Sequence, residues 1–389
     1  MRILFVADGR SPTALNWMRY FVERGDEVFL ASTFACQPDL KLSGLEIVPV
    51  AFSSVKSSAA TGSKPRARFW GASTLQLRTT IRQWLGPLTI PASAQRLRGV
   101  IERTRPDLLH AMRIPYEGML AADASGLVPL LVSVWGNDFT LHASSTPLMR
   151  HYTAWALKAA DALHADCQRD IRLGRQWGFA AQKPSLVIPG SGGIRADVFF
   201  PPPQPAQTPL VVNPRGFRAY VRNDTFFQAI PLVLKERPDA RFACAAMADE
   251  PQVLEWIEKL GIGAAVELLA PRPHAEMAAL FRSAQVVVSP TIHDGTPNSL
   301  LEAMACGCFP VAGDLESIRE WILPEKNGLL VDAGSPQALA AAILRGLNDA
   351  ALRSQAAEIN ARLIAERAEY SACMARAAEF YGRITRSTI

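Results

Sequence analysis

The stretch from Ala284 to Gly313, AQVVVSPTIHDGTPNSLLEAMACGCFPVAG, constrains the fold most. Val286, Val287 and Val288 form a short apolar run, the mark of a strand buried on both faces. Gly295 and Pro297 interrupt the pattern. From about Asn298, Leu300, Leu301, Met304 and Ala305 recur at helical spacing. Phe309 to Ala312 is a second apolar strand. This order, strand–loop–helix–strand, belongs to a parallel sheet of the α/β class, with polar residues at the carboxyl end of the first strand.

The chemistry of that loop suits an anion. The backbone N–H groups of Gly295 to Asn298 stand at a helix start, where no intrahelical acceptor exists and the helix dipole is positive. Gly295 admits a ligand close to the backbone, and Pro297 fits the first helical position. Asp294 and Glu302 flank the loop. Carboxylates repel phosphate but accept hydrogen bonds from hydroxyls. Phosphate between two hydroxyl-bearing groups describes a sugar nucleotide. The plainer alternative is an ordinary strand–helix turn with surface acids.

Asp294 and Glu302, with seven residues between them, precede an Ala303-Met304-Ala305-x-Gly307 helix end and a Pro310-Val311 strand. Together they resemble the donor motif of retaining family 4 glycosyltransferases. The family pattern has glutamate in both places, so Asp294 is a departure that bears on sugar selectivity. The resemblance is dense from Ala284 to Val331, and the domain plan follows it over nearly the whole chain. It implies the GT-B fold, two Rossmann-like domains facing across a cleft. The expected division is residues 1–200 for the acceptor, 201–370 for the donor, and 371–389 as a helix returning to the first domain.

The rest of the chain fits that plan. At 389 residues it is long for one core. Ile3 to Ala7 reads as a strand, Ser11-Pro12 as a helix start, and Val28 to Ala31 as the next strand. The G-x-G-x-x-G of a dinucleotide site is missing, which argues against NAD or FAD. Further strands are expected at Asp107–Ala111, Pro129–Val134, Leu163–Ala165 and Leu186–Ile188. Gly190 to Pro205 reads as a hinge and stiff spacer. Alternation resumes at Leu210.

By resemblance, Arg215 and Arg222 reach the donor diphosphate. Asp138, in the Trp135-Gly136-Asn137-Asp138 turn, contacts the acceptor or the transferring sugar. These three and Asp294 are the catalytic candidates. Glu302, Gly295, Thr296, Pro297, Asn298, His293 and Arg272 are the donor-binding candidates. Arg10, Ser11, Asn16, His110 and Arg113 are the acceptor-binding ones. A helix cap explains Ser11 equally well, and a turn or cap explains Asp138.

No metal or organic cofactor is expected. His142, His151 and His164 lack metal-ligand spacing. Six scattered cysteines, among them Cys306 and Cys308, read as buried free thiols of a reducing cytosol. No run approaches the ~18 apolar residues of a membrane span. Residues 53–105 are basic with interleaved aromatics, including Trp70 and Trp84. They read either as a surface for anionic lipid, on the inner face of a membrane, or as a solvated insertion whose apolar face covers the domain. No nucleic-acid module accompanies them.

The expected activity is sugar transfer from a UDP- or GDP-sugar to a saccharide or lipid-linked hydroxyl, with retention. A non-catalytic sugar-nucleotide binder and a sugar-nucleotide epimerase on the same fold are the alternatives. A phosphorylase would need a cofactor lysine, and Lys235, Lys259 and Lys326 occupy no convincing site.

Overall fold

The computed structural model describes residues 1–53, 80–126 and 128–386. They form two units, Met1–Gly192 with Met374 onward, and Gly193–Cys373. The units part earlier than the boundary expected near residue 200. Ile194 and Phe199 are buried in the second unit's core, and Ile194 bridges to Glu369.

The first unit carries seven parallel strands: β1 (Arg2–Ala7), β2 (Glu27–Ser32), β3 (Gly44–Ile47), β4 (Leu108–Ala111), β5 (Leu130–Val134), β6 (Ala162–Ala165) and β7 (Ser185–Val187). Their order is β3-β2-β1-β4-β5-β6-β7. β4, β5 and β6 are buried at every residue, as a sheet covered on both faces requires. β3 is an edge strand, largely exposed, and with Glu46 between Leu45 and Ile47 it shows no continuous apolar run to sequence reading.

The second unit carries six parallel strands: β8 (Leu210–Asn213), β9 (Arg241–Cys244), β10 (Val266–Leu268), β11 (Val286–Ser289), β12 (Phe309–Gly313) and β13 (Leu329–Val331). The order is β10-β9-β8-β11-β12-β13. Val286, Val287 and Val288 are fully buried in β11. Each contributes about 1.5–3 kcal/mol by leaving water.

Both sheets are doubly wound, and strand order reverses between β1 and β4 and between β8 and β11. Ligands of such sheets bind at these switch points, outside the carboxyl ends of the strands.

The helix Tyr370–Arg386 ends in the first unit, held by a chain of buried hydrogen bonds. Trp17 Nε1 donates to the Tyr381 hydroxyl at 2.8 Å, and that hydroxyl lies 2.5 Å from His110 Nδ1. His110 Nε2 is 2.7 Å from Ser133 Oγ, which is 2.8 Å from His164 Nδ1. His164 Nε2 reaches the Ile188 carbonyl at 3.0 Å. Trp17 can only donate and Ile188 O can only accept, so every proton in between points one way. Both histidines are then neutral with the proton on Nε2. Burial agrees with this: it holds His110 well below the usual histidine range and pushes His164 down to about 4. His110 is therefore an interior residue with both nitrogens used. The acceptor-binding role expected of it fails because the C-terminal helix covers the end of β4.

Among the described residues, no helix is long and apolar enough to cross a membrane. The described part of the basic segment includes the helix Ile90–Thr104, whose Ile90, Ala94, Leu97, Val100 and Ile101 pack into the first unit's core. That helix covers the domain. Residues 54–79 lie outside the described residues.

Candidate functional site

The second unit builds its site at the β8/β11 switch point. Beyond β8 the chain turns at Asn213-Pro214-Arg215. Asn213 Oδ1 accepts the Arg215 amide at 3.1 Å, and its Nδ2 donates to Asn223 Oδ1 at 3.1 Å. Asn223 Nδ2 in turn donates to the Gly216 carbonyl at 3.1 Å, where Gly216 takes φ +67°. The loop is laid along the chain beyond β11 by a Val221–Thr291 bridge and by the Arg222 amide on the Pro290 carbonyl, 2.8 Å.

These bonds aim Arg215 at the loop after β11. Its guanidinium pairs with Asp294 and lies 3.3 Å from Ser299 Oγ. The Asp294 carboxylate also accepts the Gly295 amide at 3.1 Å. Ser317 Oγ holds the Asp294 carbonyl at 2.8 Å, and Trp321 Nε1 holds Thr296 Oγ1 at 2.9 Å. Gly313 closes the packing, because a Cβ there would overlap the Thr291 carbonyl oxygen. Sequence reasoning missed Asn213, Ser317 and Trp321. Gly313, a glycine ending a strand, was a readable signal of close backbone approach.

The helix Asn298–Ala305 starts from Pro297 with no side-chain cap. The amides of Asn298 and Ser299 meet no acceptor among the described residues. Four buried polar atoms nearby also lack partners: Arg215 Nε, Ser289 Oγ, Thr291 Oγ1 and Asn298 Oδ1. Buried polar groups are nearly always satisfied, so such a concentration marks a place for a polar ligand. Glu302 sits one turn into the helix, partly open to solvent yet surrounded by protein. Burial pushes its carboxyl up to about 7, and nearby Arg215 only partly offsets this.

The structure thus brings Arg215, Asp294, Gly295, Thr296, Pro297, Asn298 and Glu302 together. His293 is half-buried beside Asp294. Arg272 stands at the start of the helix His274–Ser283, 4.0 Å from Glu276. Arg222, expected at the donor diphosphate, is paired within its own loop. It forms a two-pronged pair with Asp224, at 2.8 and 2.7 Å.

In the first unit, Asp138 is buried and its oxygens are taken. One accepts Arg113 Nη2 at 2.7 Å; the other accepts the amides of Ile114 and Trp135, each at 3.1 Å. Asp138 therefore orients Arg113 and offers no free carboxylate to a substrate, a correction to the expected contact. Arg113 lies over the Trp135 ring, 5.5 Å from its centre. Arg10 is paired with Asp8 at 2.9 and 2.8 Å and lies over Phe34. Ser11 caps the helix Pro12–Glu23, its Oγ accepting the Ala14 amide, and the Asn16 amide donates to the Ser191 carbonyl at 2.7 Å.

One buried group has the ligand types of a metal site. Asp166, Cys167 and Asp170 place their ligand atoms within 4.8 Å of one another. Arg169 forms an ion pair with Asp170 at 2.8 Å and supplies the positive charge there.

Residues 8–190 match the family described as "Glycosyl transferase 4-like domain", and residues 215–349 match "Glycosyl transferases group 1". The chain belongs to the family 4 type of GT-B glycosyltransferases. A D-inositol 3-phosphate glycosyltransferase of Corynebacterium urealyticum is 37% identical over 102 residues, 26% of this chain and 24% of that one. The protein of the same name from Thermobispora bispora is 27% identical over 217 residues, 51% of this chain and 50% of that one. The matched stretches thus span about a quarter and a half of those relatives. In three dimensions the chain resembles sucrose-phosphate synthase from Thermosynechococcus elongatus, with TM-score 0.76 and 16% identity over the whole of both chains. It also resembles Anabaena Alr3699/HepE solved with UDP-glucose, with TM-score 0.73 and 16% identity over 98% of this chain and all of that one. At such identities the likeness is one of fold.

Proposed function

We propose that this protein transfers a hexose from a nucleoside diphosphate sugar to an acceptor hydroxyl, with retention at the anomeric carbon. One observation carries the reading: Arg215, Asp294, Glu302 and the acceptor-free amides of Asn298 and Ser299 meet at the second unit's switch point. Breaking the sugar–phosphate bond leaves negative charge on the diphosphate. Arg215 and the helix amides lie where that charge would grow. Asp294 would leave its pair with Arg215 and take sugar hydroxyls. Glu302 would hold the ribose.

Metal-free transfer is part of this proposal, with Arg215 and the helix start supplying the positive field. The fate of the acceptor proton fits a same-face mechanism in which the departing phosphate takes it. No enzyme nucleophile is assigned. Incubation with a panel of UDP-, GDP- and ADP-sugars, with and without EDTA, tests both points. Release of nucleoside diphosphate from at least one donor, unaffected by EDTA, is expected. Silence across the panel with several acceptors would count against catalysis and favour a binding protein.

We further propose action at the cytoplasmic face of a membrane, on a lipid-linked or cell-envelope saccharide. Ile81, Trp84, Leu85 and Leu88 support this, being 44, 54, 48 and 63% exposed within the basic segment. Flotation with anionic vesicles at low salt is the test, and no binding there would remove the membrane from the proposal.

A further inference from the structure

The loop after β11 is held from behind by the short turn Ile318–Glu320 and the residues on either side of it. Ser317 Oγ donates to the Asp294 carbonyl at 2.8 Å, and Trp321 Nε1 donates to Thr296 Oγ1 at 2.9 Å. The two bonds grip the chain on either side of Gly295. An indole N–H can only donate, so Trp321 fixes the Thr296 oxygen as its acceptor. Trp321 and Thr296 are each 4% exposed, so the bond is made away from water, where leaving it unmade is costly.

Trp321 is fixed in turn by the helix Ala350–Arg367. Asn360 of that helix is fully buried and exchanges two hydrogen bonds with Asn327. Its Oδ1 accepts Asn327 Nδ2 at 2.8 Å, and its Nδ2 donates to the Asn327 carbonyl at 3.0 Å. Asn327 Nδ2 also donates to the Trp321 carbonyl at 2.9 Å, and Asn327 Oδ1 accepts the Leu323 amide at 2.7 Å. Two turns beyond Asn360, Arg367 donates to the Glu320 carbonyl at 2.7 Å and lies over the Trp321 ring, 4.4 Å from its centre. Ile364, between them, shares a core cluster with Leu300, Leu301 and Met304. One helix therefore seats both the indole and the helix Asn298–Ala305, whose first amides face the anion site.

A buried indole takes an acceptor wherever one is in reach. Here the acceptor stands two residues past Asp294, between that carboxylate and the helix start. We propose that Trp321 is a positioning residue for transfer: its N–H, seated by Asn360 through Asn327 and by Arg367, sets the backbone of Gly295 to Ser299 in place for the donor diphosphate. The inference rests on the glycosyl-transfer reading above. Amides stabilise growing charge only when they are aimed in advance, and a displacement of about 1 Å forfeits much of that effect.

The test is a double-mutant cycle on the full chain, with Trp321→Phe, Thr296→Val and both together. UDP and GDP are titrated by calorimetry, and hydrogen exchange is followed in peptides spanning residues 293–299 of the empty protein. Trp321→Phe is expected to speed exchange in those peptides and to weaken binding of the nucleotide about three- to tenfold. Adding Thr296→Val should lower affinity no further, because both substitutions remove one bond. Thr296→Ser keeps the acceptor and should bind as the wild type does. A tryptophan that only fills the core would lower resistance to urea and leave both affinity and exchange at 293–299 unmoved; that result overturns the inference, as do additive losses in the cycle. Arg367→Ala alters an exposed side chain and serves if Trp321→Phe does not fold: it should speed exchange in the same peptides, and unchanged exchange there overturns the inference equally. Nucleotide binding that Arg215→Ala weakens and Trp321→Phe does not sinks this inference alone. A wild type that binds neither nucleotide sinks the donor site, and this inference with it.

Discussion

Glu302→Gln should stabilise the empty protein while abolishing its activity. Burial raises the Glu302 carboxyl from an ordinary 4.5 to about 7 in the folded chain. The folded state therefore binds more protons than the unfolded state between those values, and stability falls as pH rises through that window. Above it the deficit is the gap of about 2.5 pH units at 1.36 kcal/mol each, or ~3 kcal/mol at most. Gln keeps the shape and cannot ionise, so the deficit disappears. Urea unfolding followed by hydrogen exchange in peptides spanning residues 286–305 would read it. At pH 8 the variant should exceed the wild type by about 1–3 kcal/mol; at pH 4.5 the two should nearly coincide. Comparing the two proteins at each pH cancels every other titrating group. Transfer should fall by orders of magnitude in the same variant. Equal stabilities at both pH values would refute the reasoning, since Glu302 would then ionise as freely as in water.

Other consequences are equally direct. Tyr381→Phe leaves Trp17 Nε1 and His110 Nδ1 without partners and should cost the first unit about 1–3 kcal/mol in urea unfolding. The same unit should lose stability as pH falls from about 6.5 toward 4. There the unfolded histidine binds a proton that buried His164 refuses, so a first unit whose stability is flat over that range would contradict the assigned tautomers. Gly313→Ala forces a Cβ into the Thr291 carbonyl and should displace the loop after β11. Donor binding should suffer more than global stability, and unchanged UDP affinity would show that the loop tolerates the shift.

Much of the fold was legible because strands covered on both faces read as apolar runs. Val286–Val288 and Leu130–Val134 needed no context. β3 did not announce itself because an exposed edge strand lacks that run. The site in the second unit was legible because its parts are local, a loop and the helix it starts. Distant partners were not. His110 sits at a strand end, which suggests a ligand, but Tyr381 lies 271 residues further on and seals it. Asp138 looked available for the same reason, and only the fold shows Arg113 filling it. Arg82 passed as one basic residue among many. Its place against Phe34 and Tyr116 comes from the fold, which spacing along a chain cannot reveal.

Binding of UDP and GDP to the wild type and to Arg215→Ala, measured by calorimetry, tests the central claim most directly. If the turn after β11 and Arg215 hold a diphosphate, one nucleotide binds the wild type and the variant binds it about ten- to hundredfold more weakly. Equal affinity in the two proteins would place the diphosphate elsewhere and contradict the account.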